Sequence, residues 1–190
     1  MLQQLRTAPN QLTLLRLIII PFIAISVVDG RFGWALGLFV AAGLSDGLDG
    51  YLARKMNQRT TLGQYLDPIA DKLLLSTMFI VLSLTHKVPW RITILVFSRD
   101  LGMLLVSALL FLTASMRDFK PSILGKANTV AQLITVLLVM VDELSRNPWV
   151  TQAKVAGFWL TFVLTLVSWV HYTIVVGQRL RSTGGRSTEA

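Results

Sequence analysis

Residues 46–71 read DGLDGYLARKMNQRTTLGQYLDPIAD. The stretch carries four of the chain's ten acidic residues and lies between two strongly apolar segments. Asp46 and Asp49 are three residues apart and Asp67 and Asp71 four apart, so on helices each pair projects from a single face. The spacing predicts two short carboxylate ladders that can face each other across a helical hairpin. Carboxylates beside a membrane are costly without partners: one Asp at a span centre costs roughly 2.5–3.5 kcal/mol on insertion scales. The four therefore need cations. All-oxygen ligands from Asp favour a hard divalent ion, Mg²⁺, Mn²⁺ or Ca²⁺, over zinc, and four carboxylates can neutralise two such ions.

The rest of the chain makes a membrane setting the default. Of its 190 residues, 53% are hydrophobic and 15% charged, and the mean hydropathy is +0.61, far too apolar for an ordinary soluble domain. At about 20 residues per spanning helix there is room for six or seven spans with short loops, and for no separate soluble domain. The expectation is an all-α fold: an integral membrane bundle of six transmembrane helices, a single membrane domain over 1–190, with a short N-terminal amphipathic segment. No cysteine is present, which excludes disulfides, thiolate catalysis and Cys-based metal sites. The net charge of +8 suggests anionic lipid headgroups or phosphorylated substrates. Nucleic acid is not expected as a partner, because the basic residues are scattered between apolar segments and form no continuous patch.

Residues 1–11 read as an interfacial segment, with Leu2, Leu5 and Arg6 ahead of Pro9-Asn10. Ala24-Ile25-Ser26 resembles a signal-peptide cleavage site, but Pro21 and the early Arg16 suit an h-region poorly and further apolar segments follow. The expected spans are 12–28, 32–52, 63–84, 90–114, 126–141 and 155–176, followed by a tail at 178–190 expected to be mobile. Arg16 lies one turn inside the first span, and Arg99-Asp100 interrupts the fourth. With six spans both termini share a side. That side holds ten Lys and Arg in its loops and tails against five on the other, so the termini and the aspartate hairpin are expected to face the cytoplasm from the cell membrane. No inverted repeat of the transporter kind is evident.

Two hard metals on four carboxylates suit phosphoryl-group chemistry, in which the ions clamp attacking and leaving oxygens. A solvated cap is the ordinary explanation for one Asp near a span end, and does not extend easily to four in two ladders. A divalent-cation channel or carrier uses intramembrane carboxylates too, but these cluster at one face and line no path across. Gly47, Gly50, Ala53 and Gly63 fill the gaps between the acids, and Gly50, directly after Asp49, lets a bulky ligand approach the backbone. Arg54 follows one turn later; it can hold a phosphate bidentately or simply anchor a helix end.

Asp46-x-x-Asp49-Gly50-x-x-Ala53-Arg54, eight residues, Gly63, three residues, Asp67, three residues, Asp71 resembles the full signature of the CDP-alcohol phosphatidyltransferases, every signature position being occupied at its spacing. Pro9-Asn10-Gln11-Leu12-Thr13-Leu14-Leu15-Arg16 is similar to the segment ahead of the first span in many members, and the resemblance covers essentially the whole chain. It implies transfer of a phosphatidyl group from CDP-diacylglycerol to an acceptor alcohol with release of CMP. It implies two divalent metal ions, Mg²⁺ or Mn²⁺, on Asp46, Asp49 and Asp67, with Asp71 touching the metal and acting as general base. It further implies nucleotide and donor contacts from Asp46, Asp49, Gly50, Arg54, Gly63, Asn10, Thr13 and Arg16, and a homodimer.

For the acceptor, Ser98-Arg99-Asp100 and Gly125-Lys126-Ala127-Asn128-Thr129-x-x-Gln132 resemble stretches of the eukaryotic-type cardiolipin synthases, whose acceptor is phosphatidylglycerol. Ser168-x-x-His171-Tyr172 leans the same way. Phosphatidylglycerophosphate synthases, which use glycerol 3-phosphate, typically show Arg-Glu in span four with a second Arg further along, and Lys-x-Lys-Thr opening span five. This chain has Asp100 and Asn128 at those places. Lys126, Arg99 and Lys72 are the expected acceptor contacts. Arg99 and Asp100, being adjacent and so about 100° apart on a helix, are expected to serve different neighbours, and His171 to fill a satisfied packing role in an apolar setting.

Overall fold

The structure is a computed structural model and describes residues 8–55, 61–112 and 123–184, with side chains over 11–45, 69–105 and 123–174. The described chain is all helical: α1 Ala8–Val28, α2 Phe32–Lys55, α3 Thr61–Leu84, α4 Trp90–Leu112, α5 Ile123–Ser145 and α6 Pro148–Gly184. Among the described residues three stretches are long and apolar enough to cross a membrane, Gln11–Val28, Ile123–Ser145 and Pro148–Ile174, while Phe32–Ser45 is a shorter apolar helix. Helix α3 carries Asp67, Asp71 and Lys72, and α4 carries Arg91, Arg99 and Asp100.

The helices extend past the expected spans: α5 covers 123–145 where 126–141 is expected, α6 starts at Pro148 where 155 is expected, and two further ends change an expected segment. Helix α1 already starts at Ala8, so residues 8–11 continue into the first long helix and form no separate interfacial segment; Pro9 sits in its first turn, where the missing N–H costs nothing. Helix α6 runs for 37 residues, through Gly184, so residues 178–184 of the expected mobile tail are helical. At 1.5 Å per residue it is about 55 Å long, well beyond a hydrocarbon core of about 30 Å.

Polarity is inverted relative to a soluble protein. In α1 the buried side chains include Thr13 and Arg16, while Leu15, Ile18, Phe22 and Ile25 are exposed. In α6 Thr161, Thr165 and Ser168 are buried, while Val163, Leu166, Val167, Trp169 and Val170 face outward. Apolar surface of this extent is unfavourable in water and matched to lipid. The protein is a membrane protein with several apolar helices.

The chain divides into two compact units, one of Met1–Pro89 with Val136–Lys154, the other of Trp90–Thr135 with Val155–Ala190. In the first unit α1 packs against both α2 and α3, burying Ile20, Ile23 and Val27, Ala35, Phe39 and Ala42, and Leu74, Leu75, Met78, Phe79 and Leu82. Its turns are closed by left-handed caps. Gly30 (φ 71°) follows α1, with Arg31 N–H donating to Ser26 C=O at 2.8 Å and Gly30 N–H to Val27 C=O at 3.0 Å, the Schellman pattern. His86 (φ 60°) repeats it after α3, with Lys87 N–H on Leu82 C=O at 2.7 Å and His86 N–H on Ser83 C=O at 3.0 Å. After α5, Arg146 (φ 49°) stops the helix. Asn147 then caps α6 by accepting from Trp149 N–H at 3.0 Å, ahead of Pro148 at the first helical position. Ion pairs tie these turns together: Lys87 Nζ to Glu143 Oε2 at 2.6 Å, and Lys154 to Asp142, whose other oxygen accepts from Thr151.

Candidate functional site

The expected ladders fall at the opposite ends of α2 and α3 from these caps. Asp46 and Asp49 lie nine and six residues before the end of α2 at Lys55, and Asp67 and Asp71 six and ten residues after the start of α3 at Thr61. At 1.5 Å per residue, Asp49 and Asp67 are each about 9 Å from their helix end, and Asp46 and Asp71 about 14 and 15 Å. Both helices pack on α1, and the four aspartates fall within the last ten residues of α2 and the first eleven of α3.

The structure describes the helical backbone at Asp46, Asp49, Gly50, Arg54, Gly63 and Asp67, and the backbone of Asn10; their side chains lie outside the described set. Among the described side chains no group of three His, Cys, Asp or Glu is close enough to hold a metal. The donor set itself fits the implied ions: four carboxylates with no thiol or imidazole between them match Mg²⁺ or Mn²⁺. Asp71 is half-buried, as is its neighbour Lys72, and both make polar or ionic interactions. Thr13 and Arg16, three residues apart on α1, are buried almost completely. A buried arginine in a membrane span is retained against a cost of several kcal/mol and marks a functional or tightly paired position; Arg16 is not free.

The second unit holds Arg99 and Lys126. Lys126, in the first turn of α5, is exposed. Arg99 is 2% exposed, and here the expectation of separate neighbours for Arg99 and Asp100 is overturned. Arg99 Nη1 donates to Asp100 Oδ1 at 2.6 Å, and Nη2 to Ser168 Oγ at 2.8 Å. The guanidinium stem is long enough to curl back along the helix, and in a buried setting attraction between opposite charges outweighs the 100° offset of their backbone positions. His171 is exposed, so its expected packing role is not borne out; it lies on the outward side of α6, three residues past buried Ser168.

Sequence reasoning passed over a polar seam in the same unit. Thr161, Thr165 and Ser168 on α6 and Asn128, Gln132 and Thr135 on α5 recur at helical spacing, and all six are buried. Thr165 Oγ1 donates to Asn128 Oδ1 at 2.9 Å. Thr135 Oγ1 lies 2.9 Å from Thr161 Oγ1 and donates to Gly157 C=O at 3.1 Å. The signal was available: three hydroxyl side chains on one face of an otherwise apolar helix read as interhelical hydrogen bonding.

Comparison with known proteins accounts for the arrangement. The profile of the CDP-alcohol phosphatidyltransferases matches residues 6–171, which takes in both aspartate ladders and the buried residues of the seam. The chain belongs to the CDP-alcohol phosphatidyltransferase family. It is similar to cardiolipin synthase (CMP-forming) of Homo sapiens, 35% identical over 149 residues, which are 68% of this chain and 48% of the human protein. It is also similar to CDP-diacylglycerol–glycerol-3-phosphate 3-phosphatidyltransferases of Salmonella choleraesuis and Escherichia coli, each 34% identical over 171 residues, covering 86% of this chain and 91% of theirs. The chain thus spans about half the length of the human relative and nearly all of the bacterial ones. As a family member it has a signature whose Asp, Gly and Arg positions are all occupied.

Proposed function

We propose that this family member transfers a phosphatidyl group from CDP-diacylglycerol to phosphatidylglycerol, forming cardiolipin and releasing CMP. The observation that carries the transferase reading is the match of the CDP-alcohol phosphatidyltransferase profile over residues 6–171, supported by Asp46 and Asp49 on α2 and Asp67 and Asp71 on α3 with Gly50, Arg54 and Gly63 at fixed offsets among them. A bare-ion channel or carrier has no use for those three. Asp46, Asp49, Asp67 and Asp71 would hold two Mg²⁺ or Mn²⁺ ions, which when bound offset the charge of the pyrophosphate and polarise it.

The protein's own groups do the rest. Gly50 and Gly63 let the nucleotide approach the backbone, and Arg54 holds a phosphate; Asn10, Thr13 and Arg16 complete the donor side. Asp71 takes the proton of the acceptor hydroxyl as that oxygen attacks the lipid-bearing phosphorus, the bond to the CMP oxygen breaks, and CMP leaves. Lys72, Arg99 and Lys126 serve the acceptor. The reading includes a cytoplasmic active site, supported by the ten-to-five excess of Lys and Arg on that side, and a homodimer.

The pairing of Arg99 with Asp100 at 2.6 Å supports the lipid acceptor. Glycerol 3-phosphate carries a doubly charged phosphate and needs several convergent cations, whereas a guanidinium already neutralised by an adjacent carboxylate suits the single charge of phosphatidylglycerol. A second reading, glycerol 3-phosphate as acceptor, is favoured by the greater share of the chain aligned with the bacterial relatives. The test is to offer purified protein CDP-diacylglycerol, Mg²⁺ or Mn²⁺ and both acceptors together, following CMP and identifying products by mass spectrometry. Cardiolipin with CMP is expected; phosphatidylglycerophosphate alone would replace the acceptor and leave the aspartate chemistry standing.

A further inference from the structure

In the second unit, between the two hydrogen-bonded rungs Asn128–Thr165 and Thr135–Thr161, Gln132 is 0% exposed, and neither its amide nitrogen nor its amide oxygen has a hydrogen-bond partner. Asn128, one turn earlier on the same face of α5, is 0% exposed as well; its oxygen is engaged by Thr165, and its Nδ2 has no partner. Arg99 is bound through Ser168 to the same face of α6, three residues from Thr165, and its Nε is likewise without a partner. Asn128 and Arg99 are thus pinned to neighbouring positions of one helix, each with a donor unused. A buried amide without a partner costs about 1–3 kcal/mol per polar group, more than ordinary packing between α5 and α6 requires, since Leu or Met would fill the same volume.

We propose that Asn128 and Gln132, with Arg99, recognise the phosphoglycerol moiety of the acceptor. The inference rests on the transferase reading above and adds two specificity-determining residues to it. The chemistry matches on each count. The free donors of Arg99 Nε and Asn128 Nδ2 suit phosphate oxygens. Gln132 offers one donor and one acceptor side by side, the complement of a glycerol hydroxyl, which itself both donates and accepts. Because Asp100 balances the charge of Arg99, the cluster selects by hydrogen bonding more than by net charge, and a site built to bond a hydroxyl discriminates strongly against ligands lacking it. Phosphatidylglycerol and glycerol 3-phosphate share this moiety.

The decisive variant is Gln132→Met, which keeps the volume and removes both polar atoms. With whichever of the two acceptors supports CMP release, the acceptor KM rises about tenfold or more, while the KM for CDP-diacylglycerol stays within about twofold; one lost hydrogen bond to a ligand is worth that much. The apo protein melts at the same or a higher temperature. Asn128→Asp keeps an oxygen for Thr165 and sets a carboxylate against the phosphate, so it weakens the acceptor further than Gln132→Met. If Gln132→Met does not accumulate, Gln132→Asn, which withdraws the amide by one methylene, is read the same way. Native mass spectrometry of wild type and variant with phosphatidylglycerol, glycerol 3-phosphate and CDP-diacylglycerol in separate arms measures binding without turnover and shows which source occupies the site. Selective loss of a phosphoglycerol ligand upholds the subsite even if no transfer is seen, in which case only the transferase reading fails. An unchanged acceptor KM and unchanged retention of both phosphoglycerol ligands, or a loss confined to CDP-diacylglycerol, overturns it.

Discussion

Arg99 and Asp100, adjacent on α4, form an ion pair of 2.6 Å in which both side chains are nearly inaccessible. Breaking such a pair from one side leaves a buried charge and costs about 3–5 kcal/mol, whereas removing both charges together is often neutral. Arg99→Met and Asp100→Asn are each expected to lower stability by about that amount, and the double variant by clearly less. Thermal unfolding in detergent checks it. Additive losses would show that each charge is held chiefly by other groups. Asp100→Asn also releases the full charge of Arg99, so the ratio of glycerol 3-phosphate to phosphatidylglycerol use should rise in a mixed-acceptor assay.

Asp46 and Asp49 on α2 and Asp67 and Asp71 on α3 are proposed above to hold two cations together. Asp46→Asn, Asp49→Asn and Asp67→Asn are expected to reduce CMP release by about two orders of magnitude or more, the scale of lost charge stabilisation at a transition state, while the protein still inserts and purifies. Chelation with EDTA should do the same to wild type and be reversed by Mg²⁺ or Mn²⁺. Near-normal activity in any two of the three variants would end the two-ion proposal.

Asp71 carries a different expectation. A general base acts mainly in the transition state, so Asp71→Asn should depress kcat far more than binding of CDP-diacylglycerol. Donor affinity by native mass spectrometry and single-turnover rates separate the two effects. Lost donor binding with unchanged turnover of the bound complex would reassign Asp71 to a purely ligating role.

Thr135 bridges to Thr161 at 2.9 Å and to the Gly157 carbonyl at 3.1 Å. Interhelical hydrogen bonds in membrane proteins are worth about 0.6 kcal/mol on average and up to about 1.7. Thr135→Val, isosteric but without the hydroxyl, is expected to cost an amount in that range in unfolding experiments, with more when combined with Thr165→Val. No loss in the double variant would mean that the seam is held by packing alone.

His86 occupies a left-handed cap position at φ 60°, where a Cβ costs about 1–2 kcal/mol. Glycine removes that cost and adds some chain entropy to the unfolded state. His86→Gly should therefore raise stability by about 0.5–1 kcal/mol and leave transfer rates unchanged, since the turn lies at the opposite end of α3 from Asp71. A lower melting temperature would show that the imidazole contributes more than its backbone position costs.

The sequence alone determined the all-helical class, the helical setting of Asp46, Asp49, Asp67 and Asp71 on two consecutive helices, and the spacing within each pair. These are local quantities: apolar run length sets helix length, and the 3.6-residue period sets which residues share a face. Helix ends were less legible. Ala8 and Gly184 lie beyond the apolar runs, and a backbone that hydrogen-bonds internally continues past the point where hydropathy falls. Tertiary structure decided what the interior polar groups do. That Arg99 turns to its own neighbour Asp100 and to Ser168, that Asn128 meets Thr165, and that Gln132 is left between two hydrogen-bonded rungs depend on which helix face is presented to which partner. That choice is made by packing across residues far apart in the chain. Periodicity marks a polar face as inward in a membrane protein, but only the neighbouring helix determines which of its groups are satisfied and which are left for a ligand.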